Sequence, residues 1–200
     1  MTEHYYSDQP SVESDPVTWT FTLRGHSLTF TSDQGVFSKK EVDFGSRLLI
    51  EAFELPELEG DLLDMGCGYG PIGIALAKDF ESRNVVMADI NERAVALARK
   101  NADANNAGNT EVLKSNLFEE INRQDFAAVL TNPPIRAGKK VVHRIFEEAY
   151  SHLAEEGELW VVIQKKQGAP SALEKLGEMF AEVDTIMKKK GYYIIKAKKS

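Results

Sequence analysis

The sequence predicts a doubly wound α/β domain, and three observations predict it. From residue 61 onward, short apolar segments alternate with amphipathic ones, the pattern of strands joined by crossover helices. Residues 126–131 (FAAVLT) are apolar up to the last position, as a strand buried on both faces of a parallel sheet should be. Glycines at 66, 68 and 70 follow the first of these apolar segments, where a strand must turn sharply into a helix. With right-handed crossovers, this alternation implies an open sheet covered by helices on both faces.

The elements follow in order. Residues 1–16 are polar and acidic and are expected to form a flexible tail. Residues 17–23 and 27–31 alternate apolar and polar positions around Arg24-Gly25-His26, a β-hairpin signal. A loop at 35–40 leads to a helix over 43–54, with Leu48, Leu49, Ala52 and Phe53 on one face and Pro56 ending it. Residues 17–56 thus precede a core at 57–200 within one domain, 17–200. In the core, strands are expected at 61–65, 84–90, 111–114, 126–131 and 159–163. Helices are expected at 72–78, from Asn91 as cap to about 105, along the apolar stripe Val142, Ile145, Phe146, Ala149, Tyr150 and Leu153, and at 170–180. Residues 182–187 and 192–197 flank Lys-Lys-Lys-Gly, an antiparallel hairpin at the sheet edge.

Composition narrows the class. The chain has 200 residues, 42% hydrophobic and 28% charged, enough to bury one core. No apolar run approaches the ~18 residues of a membrane span. The N-terminus lacks a basic start and an apolar stretch, so a cytoplasmic location is expected. The single cysteine, Cys67, fits a reducing compartment, and the four histidines lack zinc-like spacing, so no metal is expected. Net charge is −7 but uneven: residues 185–200 carry six lysines and no acid, which points to a partner meeting one face, or to an edge hairpin protected by lysine.

The glycine loop, Asp64-Met65-Gly66-Cys67-Gly68-Tyr69-Gly70-Pro71, lets backbone approach a ligand closely. Pro71 stands at the third glycine position of the dinucleotide fingerprint. Asp64 places an acid beside the loop, where a pyrophosphate gains nothing from an anion. S-adenosylmethionine (SAM) carries an ammonium and a sulfonium, so the acid favours SAM over a nicotinamide dinucleotide. Asp89, at the end of the next strand, suits the two ribose hydroxyls, with Ile90 against the adenine. Asn116 and Leu117, after the third strand, lie on the same carboxyl edge, where Asn116 would bond the adenine amine and Leu117 would cover the ring.

Asn132-Pro133-Pro134-Ile135 ends the fourth strand. Two prolines cannot continue a sheet and fix a rigid loop that presents carbonyls. With the Asn132 side-chain carbonyl, these acceptors suit a planar amine with two N–H bonds. Accepting its hydrogens moves the nitrogen toward tetrahedral geometry and aims its lone pair at a methyl. Alignment of this kind supplies roughly 7–11 kcal/mol of barrier reduction.

The motif order resembles the amino-methylating class I methyltransferases. More closely, it resembles the bacterial ribosomal-RNA guanine-N2 methyltransferases of the small-domain type. The matching segments are Gly35-Val36-Phe37-Ser38, Asp43-Phe44-Gly45-Ser46, Asp64 to Gly70, Ser115-Asn116-Leu117-Phe118 and Asn132-Pro133-Pro134-Ile135, across residues 17–199. The resemblance implies a seven-stranded Rossmann-like sheet of order 3-2-1-4-5-7-6 with an antiparallel last strand. It also implies methylation of a guanine in ribosomal RNA, N2 before N7. Longer members carry a second, degenerate domain ahead of the catalytic one, for which this chain has no room. Ile135 replaces the aromatic residue that adenine-N6 enzymes stack on a flipped base. Arg136, Lys139, Lys140, Arg144, Lys165 and Lys166 are candidate phosphate contacts. The alternatives are a protein amide or a small molecule as methyl acceptor, a protein that binds SAM without transfer, and a nicotinamide oxidoreductase, which Asp64 and Pro71 disfavour.

Overall fold

The computed structural model describes residues 11–36 and 41–200. Of the expected tail, residues 1–10 lie outside these, as do residues 37–40 of the expected loop. The rest of the tail is not free: the Ser14 hydroxyl donates to the Asp33 carboxylate at 2.6 Å, and Arg93 donates to the Val12 carbonyl at 2.9 Å.

Strands β1 (Val17–Leu23) and β2 (His26–Ser32) form the expected hairpin. Arg24 and Gly25 both have positive φ (50° and 79°), the conformation that a two-residue turn needs to match strand twist. The Arg24 guanidinium then caps the end of α1 (Phe44–Ala52), donating to the carbonyls of Ile50 and Phe53 and to Asp79. This helix ends two residues earlier than expected, because Pro56 pushes Leu55 out of helical space and the chain is already extended at Phe53.

The core strands are β3 (Leu62–Met65), β4 (Val85–Asp89), β5 (Thr110–Lys114), β6 (Phe126–Thr131), β7 (Leu153–Gln164), β8 (Glu182–Lys189) and β9 (Tyr192–Lys198). Between them run α2 (Pro71–Asp79), α3 (Glu92–Ala104), α4 (Lys139–His152) and α5 (Ala169–Met179). The sheet order is β5-β4-β3-β6-β7-β9-β8. Counted from β3, this is the expected 3-2-1-4-5-7-6. The pairs from β5 to β7 are parallel, and β9 is antiparallel to both neighbours. A second boundary also differs. β7 begins at Leu153, six residues before the predicted 159, because its register against β6 shifts between Phe126 and Ala128, with Glu156 at φ 65°.

Alternate residues of a strand serve opposite faces. Leu62 packs with α1, α2, α3 and the hairpin, while Leu63 and Met65 pack with α4 and α5. Asn101 of α3 behaves as an extra strand: its amide exchanges hydrogen bonds with the Thr31 backbone and donates to the Tyr69 carbonyl. The Tyr69 ring lies between Trp19 and Phe30 at 5.5 and 5.7 Å. The N-terminal hairpin is therefore tied to the glycine loop. Order reverses between β3 and β6, and ligands of open α/β sheets bind at that switch point, outside the carboxyl ends of the strands.

Candidate active site

The glycine loop is built by backbone bonds that only this spacing permits. Gly66 and Cys67 N–H both donate to the Ala88 carbonyl at 2.8 and 2.9 Å, and Gly68 N–H donates to Asp89 Oδ2 at 2.8 Å. Gly66 and Gly68 have φ of 75° and 58°, and a Cβ on either would meet nothing within 4 Å. Their missing side chains leave open space at the cleft, the cradle that a close-lying ligand requires. Pro71 opens α2 at the position where a missing N–H costs nothing.

Asp64 does not line the cleft, which corrects the expectation of an acid facing the ligand. It is 1% exposed beneath the loop, and its Oδ2 accepts from Gly73 N–H at 2.9 Å. Its Oδ1 is buried with no hydrogen-bond partner among the described residues. Burial, with a smaller push from Asp89, raises Asp64 to about 7. Asp89 is 5% exposed and accepts from Gly68 and Asn91 N–H, yet burial still raises it to about 6. Burial and these two acids push the Cys67 thiol well up, so it is a wall and not a nucleophile.

The Asn132 loop faces the glycines. Thr131 Oγ1 donates to the Met65 carbonyl at 3.0 Å, tying the end of β6 to the end of β3. Asn132 Nδ2 donates to Asp43 Oδ2 at 3.2 Å and to Ser46 Oγ at 3.1 Å. A carboxylate only accepts, so the amide must turn its NH₂ toward Asp43 and its carbonyl away. The Pro133 carbonyl accepts nothing from the described residues. The expectation that both proline carbonyls face outward is corrected. Pro134 spends its own on Ala137 N–H at 2.9 Å, inside a short 3-10 turn (Ile135–Ala137).

Two adjoining hollows meet at Gly66. The larger, about 280 Å³, is lined by Asp43, Ser46, Gly68, Asn132, Pro133 and Ile135 among others. The smaller is lined by Asp89, Ile90, Leu117, Pro134 and Ile145, an apolar slot with one acid at its rim. Asn116 stands outside both. It lines a shallow depression next to Ile90 and donates to Glu119 at 3.4 Å. Of the basic residues, Arg136 lines the larger hollow and Lys139 an adjoining one, while Lys140, Lys165 and Lys166 are exposed. Arg144, a turn further along α4, is exposed and pairs with Glu148 at 3.0 Å and Glu119 at 3.9 Å.

The order of glycines, strand-end acid and Asn-Pro-Pro on this sheet agrees with the model of the methyltransferase small domain, which matches residues 27–196. The chain belongs to that family. It is therefore a SAM-dependent methyltransferase of the class I fold. An uncharacterized protein of Bacillus subtilis, YbxB, is 64% identical over the full length of both chains. Ribosomal RNA small subunit methyltransferase C of Vibrio parahaemolyticus is 34% identical over 91% of this chain and 52% of its own. The 16S rRNA N2 G1207 methyltransferase of T. thermophilus, solved with AdoMet and guanosine, superposes with a TM-score of 0.83 at 26% identity. It is matched over 96% of this chain and 52% of its own. The chain spans about half the length of the ribosomal RNA methyltransferases it matches. Among the described residues, no helix is long and apolar enough to cross a membrane, and no group of three His, Cys, Asp or Glu is gathered for a metal.

Sequence reasoning missed Asp43 and Ser46 as site residues. The only available signal was their place in a matching segment. It also missed Gln164 and Tyr192, which line the larger hollow from β7 and β9.

Proposed function

We propose that this methyltransferase methylates the exocyclic N2 of a guanine in ribosomal RNA. One observation carries the reading: Asn132, which lines the hollow with Pro133, spends its NH₂ on Asp43 and Ser46, leaving its side-chain carbonyl and the Pro133 carbonyl without partners among the described residues. Two acceptors at one point match the two N–H bonds of a primary arylamine. A bare ring nitrogen such as N7 has none to give. The names of the ribosomal RNA relatives support the same class of substrate.

The cleft fits SAM: Gly66 and Gly68 would pass its methionyl part, Asp89 its ribose hydroxyls, and Ile90 with Leu117 its adenine. SAM supplies an electrophilic methyl on a sulfonium when bound. The chain's own groups do the rest. Asn132 and Pro133 hold the amine hydrogens, so the nitrogen lone pair is directed rather than spread into the ring. Donation from Asp43-bound NH₂ keeps the amide from rotating. The methylated nitrogen then sheds a proton to water at the open mouth. Catalysis here is alignment and preorganised acceptors, without a general base. Arg136 and Lys139 line the adjoining hollows, Lys140, Lys165 and Lys166 are exposed next to lining residues in the chain, and these with Arg144 are suited to RNA phosphates.

Incubation with methyl-labelled SAM, deproteinised RNA and RNA-free protein tests the substrate class. The label is expected in nuclease-sensitive RNA. Label in protein alone would assign the same acceptors to a side-chain amide.

A further inference from the structure

We infer that Gln164 reads the N1–H and O6 edge of the target base, which rests on the guanine-N2 reading. The sheet places it for the task. Gln164 and Tyr192 are directly opposed, the last pair of the β7–β9 ladder, so they share a face. Both line the larger hollow with Asn132 and Pro133. Thr131 pairs with Val161 across β6 and β7. Extending that register sets Gln164 about 8 Å from Asn132 along the carboxyl edge, from strand rise and spacing. That span suits the edge of one base.

The chemistry of Gln164 matches what Asn132 leaves over. Its side chain is half-buried, yet its amide makes no hydrogen bond with the described residues. Its amide is therefore free to exchange bound water for a ligand without breaking a protein contact. On guanine, N2, N1–H and O6 follow one another along one edge. If N2 gives its hydrogens to Asn132 and Pro133, a donor and an acceptor remain. Gln164 offers one acceptor, Oε1, and one donor, Nε2, on a single planar group. Tyr192 walls the same side. Its ring lies 5.4 Å from Phe44, and a Cβ at Gly45 would come within 2.9 Å of its Cε1. The glycine lets the ring sit there, and it provides the aromatic surface that Ile135 does not.

The test compares guanine with 2-aminopurine, which keeps the N2 amine but lacks O6 and N1–H. RNA oligonucleotides spanning the methylated position carry one or the other. The unaltered protein is expected to favour guanine at least ten-fold in kcat/KM. Gln164→Leu is expected to shrink that ratio to two-fold or less, with SAM affinity kept. Gln164→Glu, which accepts from N1–H but cannot donate to O6, is expected to fall between, and it serves if the Leu variant fails to fold. Equal preference in the unaltered and variant proteins overturns the role of Gln164 while guanine remains the substrate. So does the absence of any preference in the unaltered protein. Methylation of neither base sinks the guanine reading itself.

Discussion

Asn132 Nδ2 lies 3.2 Å from Asp43 Oδ2, joining the end of β6 to the N-cap of α1 across 89 residues of sequence. The bond fixes which end of the amide meets the methyl acceptor. Asn132→Ala removes that carbonyl and leaves the glycine loop and Asp89 in place. SAM affinity should stay close to normal while turnover falls about 10²-fold or more, since the lost contact matters most as the nitrogen pyramidalises. Calorimetry alongside single-turnover transfer separates the two. Full turnover in this variant contradicts the amine-acceptor role.

Asp43→Ala makes a second test, because Asp43 does two jobs. Its Oδ2 also accepts from Ser46 N–H at 3.1 Å and caps α1. Loss of such a cap costs about 1 kcal/mol, visible as a lower melting temperature. Transfer should fall at least ten-fold, with SAM affinity preserved. Ser46→Ala keeps the cap and removes one anchor, so its rate should lie between. A rate unaltered in Asp43→Ala would mean that the amide is oriented by something else.

Asp89→Ala should weaken SAM binding ten-fold or more. A hydrogen bond to a charged acceptor is worth ~1.5–3 kcal/mol, and Asp89 also holds Gly68 N–H. Wild-type affinity by calorimetry would move the ribose elsewhere.

The raised carboxyls make cofactor binding depend on pH. Asp64 rises to about 7 and Asp89 to about 6, both chiefly by burial, against ordinary values near 4. Their folded values exceed the unfolded ones. The stability they contribute is thus fully present below about pH 4 and is lost as pH rises through 6 and 7. A cationic cofactor favours the ionised forms. SAM affinity should therefore rise from pH 5.5 to 7.5, with proton release seen as a dependence of binding heat on the buffer. A flat affinity over that range would contradict the assignment of Asp89 to the ribose and of Asp64 to the underside of the glycine loop.

Much of this was legible locally. The existence and order of strands and helices followed apolar periodicity, Asn91 announced its helix, and the glycines with Pro71 marked the loop. What failed depended on distance or depth. No local pattern joins Asp43 to Asn132, or Gln164 to Tyr192. These pairs exist because the sheet closes around its switch point. Asp64 was placed beside the loop correctly, but its burial follows from α2 packing down on β3. A Cβ at Gly73 would collide with Met87 on the neighbouring β4 and lie 3.1 Å from Asp64 Oδ2. The Pro134 carbonyl was taken by a neighbour one turn away, the Ala137 N–H.

The central claim is tested most directly by nucleoside mass spectrometry of ribosomal RNA, comparing cells that carry this protein with cells that lack it. One N2-methylguanosine is expected to disappear in its absence and to return with the intact protein but not with Asn132→Ala. Unchanged methylguanosines, or loss of N7-methylguanosine instead, would contradict it.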